Sequence, residues 1–223
     1  MKRRNKMIAL ICACILGILS ISGCGDTFDA SAYIKALLDN SYKNDSSGIV
    51  ELGIGTKEEA QELYDQALDQ EITLLVEEAT SMSTELQQEY RDVFATMFKK
   101  ANYTVGKAKK VEKGSYEVTV TYSQMEIFGP ALDSYQEKVN VLSESWLNMD
   151  EEEAPDEDQM YEQIFTVLKD CLKEALDDPS YGEDATTTIS VAQDIDGNYK
   201  PDENELYNLE RLLFDIDAVQ ETE

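Results

Sequence analysis

Oxygen-bearing side chains recur along Asp194-Ile195-Asp196-Gly197-Asn198-Tyr199-Lys200-Pro201-Asp202-Glu203-Asn204-Glu205. Asp194, Asp196, Asn198, Asp202 and Glu205 occupy relative positions 1, 3, 5, 9 and 12, the spacing of an EF-type loop. Hard cations favour such ligands, so the run is a calcium candidate. It departs from that pattern at three places: Tyr199 stands where the loop turns on glycine, Gly197 comes two residues early, and Pro201 interrupts the second half. A tight hairpin turning on Asp196-Gly197 explains the same residues without a metal.

Other chemistries are bounded by what the chain lacks. It has no histidine. That removes Ser-His-Asp and Cys-His catalysis, His-ligated zinc and imidazole proton shuttling. A carboxylate-pair hydrolase remains compatible with the composition, but among 46 acidic residues a pair arises by chance. The single Trp146 is also few for a sugar-stacking site. No catalytic residue or organic cofactor is assigned, and the expectation is a chain that is not an enzyme. Tyr33, Tyr64, Tyr90, Tyr103, Tyr116, Tyr122, Tyr135 and Tyr161 fall mostly on apolar faces. They read as core rings with hydroxyls at a wet rim, or as the lining of a small-ligand pocket.

The N-terminus has a chemistry of its own. Lys2, Arg3, Arg4 and Lys6 precede an uncharged run from Met7 to Ile21, too short to span a bilayer. Ile21-Ser22-Gly23-Cys24 then resembles the lipobox of bacterial lipoproteins: aliphatic, small, small, and the Cys that is lipidated and becomes the new N-terminus. The resemblance implies a signal peptide over 1–23, a diacylglyceryl thioether on Cys24 with an added acyl chain such as palmitate, and a tether over 24–30. Two buried chains hold a protein on a membrane where one does so only marginally. The implied address is the outer, extracytoplasmic face of a cell membrane, on a Gram-positive bacterium.

The leader holds four of the 19 basic residues and none of the 46 acids, which leaves the mature 200 residues with 15 basic side chains and a net charge of −31. Nucleic acid is excluded as a partner, because phosphate binding needs Lys and Arg. The same charge predicts repulsion from an anionic lipid surface. Cys12 and Cys14 are in the leader, Cys24 is the anchor, and Cys171 is left alone on an apolar stripe. An exported domain with one thiol has no internal disulfide and depends on its core.

The elements follow from period and caps. Asp29 or Ser31 caps a helix to about Tyr42, and 43–55 reads as loop with Asn44-Asp45-Ser46-Ser47-Gly48 as breaker. Thr56 and Glu59 form a capping box that opens a helix to about Ala79. Ser83 or Thr84 caps the next, with the stripe Leu86, Tyr90, Val93, Phe94, Met97, Phe98 and Ala101. The period then drops to two. An edge strand over 103–111 turns at Lys113-Gly114 into a strand with Tyr116, Val118, Val120 and Tyr122 on one face and a bulge near Ser123-Gln124. A helix from Gly129-Pro130 carries Leu132, Tyr135, Val139, Leu142, Trp146 and Met149. An acidic loop over 150–158 precedes a helix to about Leu176. Thr186–Gln193 is a strand, Asn198–Lys200 its return, and Asp202 caps a last helix with Leu206, Leu209 and Leu213 inward. The sum is an α+β domain over 31–216, a sheet of about four antiparallel strands with helices on one face, and an acidic tail over 217–223.

Asp196-Gly197-Asn198-Tyr199-Lys200-Pro201 after a Thr/Val strand resembles the closing hairpin of nuclear-transport-factor-2-like, or cystatin-like, α+β domains. Ala32-Tyr33-Ile34-Lys35-Ala36-Leu37-Leu38-Asp39 and the helix from Thr56 are similar to their early segments. Tyr199 stands where that hairpin usually has Trp, and an acidic helical insertion separates the two hairpins. The resemblance implies a curved sheet whose helices enclose a pocket used for ligands, for catalysis or not at all. The expected function is a non-enzymatic binding or interaction module meeting another envelope protein. The alternative is a small-ligand domain with a pocket between sheet and helices, or a calcium binder at 194–205.

Overall fold

Local caps set the helices. In the computed structural model, which describes residues 21–22, 28–78, 82–150 and 152–219, α1 (Ala30–Lys43) begins where Asp29 accepts a hydrogen bond from the Ala32 N–H at 3.0 Å. It ends at Asn44, in the left-handed region at φ 52°. The capping box at α3 (Lys57–Glu78) is formed in both directions. The Glu59 N–H donates to Thr56 Oγ1 at 3.2 Å and the Thr56 N–H to Glu59 Oε2 at 2.8 Å. Ser83 caps α4 (Thr84–Lys99), whose stripe from Leu86 to Phe98 is buried.

The span read as loop after α1 contains a short helix, α2 (Ser47–Glu51). Gly48 is there for space, not as a breaker: a Cβ on it would stand 2.8 Å from Ala36 Cβ. Two helices meet at that point, and only glycine fits.

β2 (Asn102–Glu112), β3 (Ser115–Glu126), β4 (Ser180–Gln193) and β5 (Asn198–Pro201) form one antiparallel sheet in the order β5-β4-β3-β2, and two-residue β1 (Ile21–Ser22) pairs along β5. β2 is an edge, as its lysines suggest. The register of β3 against β4 shifts between Ser123 and Met125, the bulge expected from the parity change. It turns Met125 and Ile127 inward, both fully buried. β4 starts six residues before Thr186. Ser180 to Ala185 have little strand preference of their own, but Glu126 to Tyr122 offer a ready ladder.

α5 (Phe128–Leu147) and α6 (Glu157–Asp177) follow, then α7 (Glu203–Leu213) and a 3₁₀ turn, Ile216–Val219. The stripe on α5 is core only near its start. Tyr135 is buried, Val139, Leu142 and Trp146 are half-buried, and Met149 lies beyond the helix and exposed. The acidic run is not all loop. Asp156 caps α6 in a capping box with Gln159, and Glu157 and Asp158 form its first turn, where negative charge suits the helix dipole.

The core is continuous. α1 lies against β2 and β3 and also against α3 and α4; α6 packs on α4, and α5 on α6. Tyr42 joins Phe98 and Phe214 at ring distances of 6.1 and 6.2 Å. Helices cover one face of the sheet; Thr104, Thr119, Thr186 and Thr188 on the other are exposed.

Candidate functional site

One face of α4 and one face of α6 border an open cleft of about 420 Å³. Glu89, Asp92, Val93, Thr96 and Lys100 line it from the first side, Lys169, Lys173, Leu176 and Asp177 from the second. The spacings follow the helix period, so each set is brought to one side without any loop. The two helices are fixed to each other at the upper end by the Tyr90 hydroxyl, which donates to the Phe165 carbonyl at 2.7 Å. At the lower end it is β4 that is tied to α4: the Tyr181 hydroxyl donates to the Lys100 carbonyl at 2.8 Å.

The lining carries three lysines and three carboxylates over an apolar floor of Val93 and Leu176. In a chain of net charge −27 this is a locally neutral site. Lys169 spans it: Nζ is 2.9 Å from Glu89 and 2.7 Å from Asp170, and the side chain is only 12 % exposed. Burial pulls its pKa down, but the hydrogen bonds that it donates to Asp170 and Glu89 more than offset this and hold it above the ordinary lysine value. A lysine kept charged is a clamp for anionic groups, not a nucleophile. The arrangement suits recognition of a group bearing both signs of charge and a short apolar body.

The tyrosines divide as core residues with anchored hydroxyls. Tyr33 donates to the Tyr199 carbonyl at 3.3 Å and Tyr103 to Asp39 Oδ1 at 2.8 Å. Burial raises the phenol pKa of both, and in Tyr103 the Asp39 hydrogen bond adds to the rise. Tyr64, Tyr90 and Tyr135 are buried, while Tyr116, Tyr122 and Tyr161 are half-buried. Between sheet and helices the space is filled by Tyr33, Tyr42, Phe98 and Phe214 with the inward residues of β3 and β4. Cys171 is buried, its Sγ 3.6 Å from Ser134 Oγ.

The candidate calcium ligands are spread over three tasks. Asp194 Oδ1 accepts the N–H groups of Asp196 at 3.0 Å and Asn198 at 2.9 Å, and Asp194 Oδ2 pairs with Lys200 at 3.2 Å. Hydrogen bonding from Asn198 is the largest cause of its lowered pKa. Gly197 completes the turn at φ 88°. Asp202 Oδ1 caps α7 through the N–H groups of Asn204 and Glu205, at 2.9 and 3.1 Å. Glu205 itself accepts from the Ser190 N–H and hydroxyl. Asp196 is exposed. Among the described residues, no group of three or more His, Cys, Asp or Glu side chains is placed to hold a metal ion. Cys24 and most of the leader and tether lie outside the described residues.

The cleft was missed in the sequence because its residues flank two apolar stripes and look like solvated charge. The one available signal is Lys169 and Lys173, four residues apart on an otherwise acidic helix. No protein-family model matches the chain, and no curated protein or solved structure is significantly similar to it.

Proposed function

We propose that this chain is a lipid-anchored, extracytoplasmic, non-enzymatic binding module of the bacterial envelope, with the cleft between α4 and α6 as its contact site for another envelope protein. The observation that carries the reading is that cleft: a charge-balanced, half-open concavity on a strongly acidic molecule, with a lysine held protonated across it. A cleft open to solvent on two helices admits a protruding side chain or terminus of a protein. The lipid anchor rests on the leader and the Ile21-Ser22-Gly23-Cys24 sequence. Kinship with nuclear-transport-factor-2-like lipoproteins rests on the closing hairpin around Asp196-Gly197 and the early helix.

Surface cross-linking of the native cell protein, followed by mass spectrometry, tests this. The expected result is one dominant envelope partner, lost in Cys24→Ala and lost again in an anchored Lys169→Glu/Lys173→Glu variant. Capture unchanged by the cleft variant would move the contact elsewhere. An empty capture from folded protein would favour the second reading, a small zwitterionic ligand in the same cleft, which metabolite thermal-shift screening detects. In the same screen, millimolar Ca²⁺ against EDTA tests the 194–205 run; a raised melting temperature would support calcium there.

A further inference from the structure

We propose that the lysine-bearing tip of the β2–β3 hairpin rests on the anionic headgroups of the bilayer that holds the anchor, a placement that depends on the lipid-anchor reading above. The first support is position. The Phe28 ring stacks on Tyr199, with centroids 3.7 Å apart and planes parallel, and meets Tyr116 edge-on at 5.5 Å. Cys24 is four residues before Phe28, so an extended chain puts the anchor no more than about 14 Å away. Tyr116 pairs across the hairpin with Lys110, whose Nζ lies 6.0 Å from the Tyr116 ring centre. The turns of both hairpins are at this end of the sheet, where the Gln193 N–H donates to the Gly114 carbonyl at 2.8 Å. A short tether therefore holds this end, and no other, at the membrane.

The second support is charge. Lys107, Lys109, Lys110 and Lys113 are all exposed and lie within seven residues. They meet two hairpin carboxylates, Glu112 and Glu117, the latter 3.5 Å from Lys109. The neighbouring turn adds Lys200 with Asp194 and Asp196, and the tether carries Asp26 and Asp29. Five lysines against six carboxylates leave this end nearly neutral, so almost all of the −31 lies elsewhere. Lysines also protect edge strands from pairing. That role does not explain why the first half of β2, Asn102 to Gly106, has no charge while its tip half has three lysines and the turn beyond it a fourth.

The repulsion expected from composition is thus redirected. Anionic headgroups push the acidic remainder outward and leave the hairpin inward. At a surface potential near −30 mV each unit of charge is worth about threefold, so an end that is nearly neutral is repelled far less than the acidic remainder. Lys100, at the lower end of the α4–α6 cleft, precedes the start of β2, and β2 spans 11 residues to the tip. The Lys100 end of the cleft then lies at the end of β2 remote from the membrane.

The test uses the native lipidated chain in vesicles of phosphatidylcholine alone, or with about a quarter phosphatidylglycerol. Lysine acetylation rates are read by mass spectrometry. On the anionic vesicles Lys107, Lys109, Lys110 and Lys113 should react severalfold more slowly than on neutral ones, with the difference removed by about 0.5 M NaCl. Lys57 and Lys173 should be unchanged. Equal rates on both vesicles, in protein whose Cys24 carries the lipid, would overturn the proposal and leave the anchor standing. A Cys24 without lipid in the same spectra would overturn both.

Discussion

Removing the Asp215 carboxylate should unfold the start of α5 from a distance. Helix α5 has no side-chain cap of its own, because its N-cap is Ile127. Asp215 supplies one from 86 to 88 residues away. Its Oδ1 accepts the Ile127 and Phe128 N–H groups, each at 2.9 Å, and its Oδ2 accepts the Gly129 N–H at 3.0 Å. A single N-cap is worth about 1 kcal/mol, and hydrogen bonds to a charged acceptor about 1.5–3 kcal/mol each. These three share one half-buried carboxylate, and water recovers part of the loss. Asp215→Ala should therefore cost about 3 kcal/mol, lowering Tm by about 6–12 °C in a chain of this size. Asp215→Asn should fall midway, because its amide NH₂ meets the Gly129 N–H donor to donor. Urea unfolding followed at 222 nm, with the slope unchanged, gives the free energy. Hydrogen exchange at Phe128 and Gly129 gives the location. A loss below about 0.5 kcal/mol in the alanine variant would refute the distant cap as a structural element.

Other perturbations probe separate parts of the molecule. Gly48→Ala should cost about 1–3 kcal/mol in urea unfolding despite better helix propensity, and Ala36→Gly in the same chain should return part of it; an unaffected Gly48→Ala would mean that α1 and α2 move apart freely. Burial raises the phenol pKa of Tyr33, Tyr90 and Tyr103 above the unfolded value of 10.0, so the native state keeps protons that the unfolded chain releases. Stability should be complete below about pH 10 and fall as pH rises beyond it, with phenolate absorbance appearing only as the fold is lost; early titration of all the tyrosines would contradict the burial. Cys171, whose thiol is buried, should react with a disulfide reagent in denaturant and be nearly inert in the folded state. Added NaCl should raise the Tm at neutral pH, because screening relieves the self-repulsion of the −27 charge; a flat response would mean that the charges are already paired.

Much of this chain was legible because its signals are local. A cap needs three or four neighbours, so Asp29, Thr56 with Glu59, Ser83 and Asp202 could be read in place. The stripe on α4 and the parity change before Met125 carry their own periodicity, and an edge strand shows itself in lysines on both faces. These determine the helices, the hairpins, the bulge and the α+β class. What the tertiary structure decided has no local signal. Ser180 to Ala185 become strand because β3 offers a partner. Gly48 is needed only because Ala36 approaches it. α5 is capped by a residue that chain order places far away. The Glu89 and Lys169 pair, and the cleft that they help to line, exist only once α4 and α6 lie side by side, since charge on two separate helices says nothing about which faces will meet.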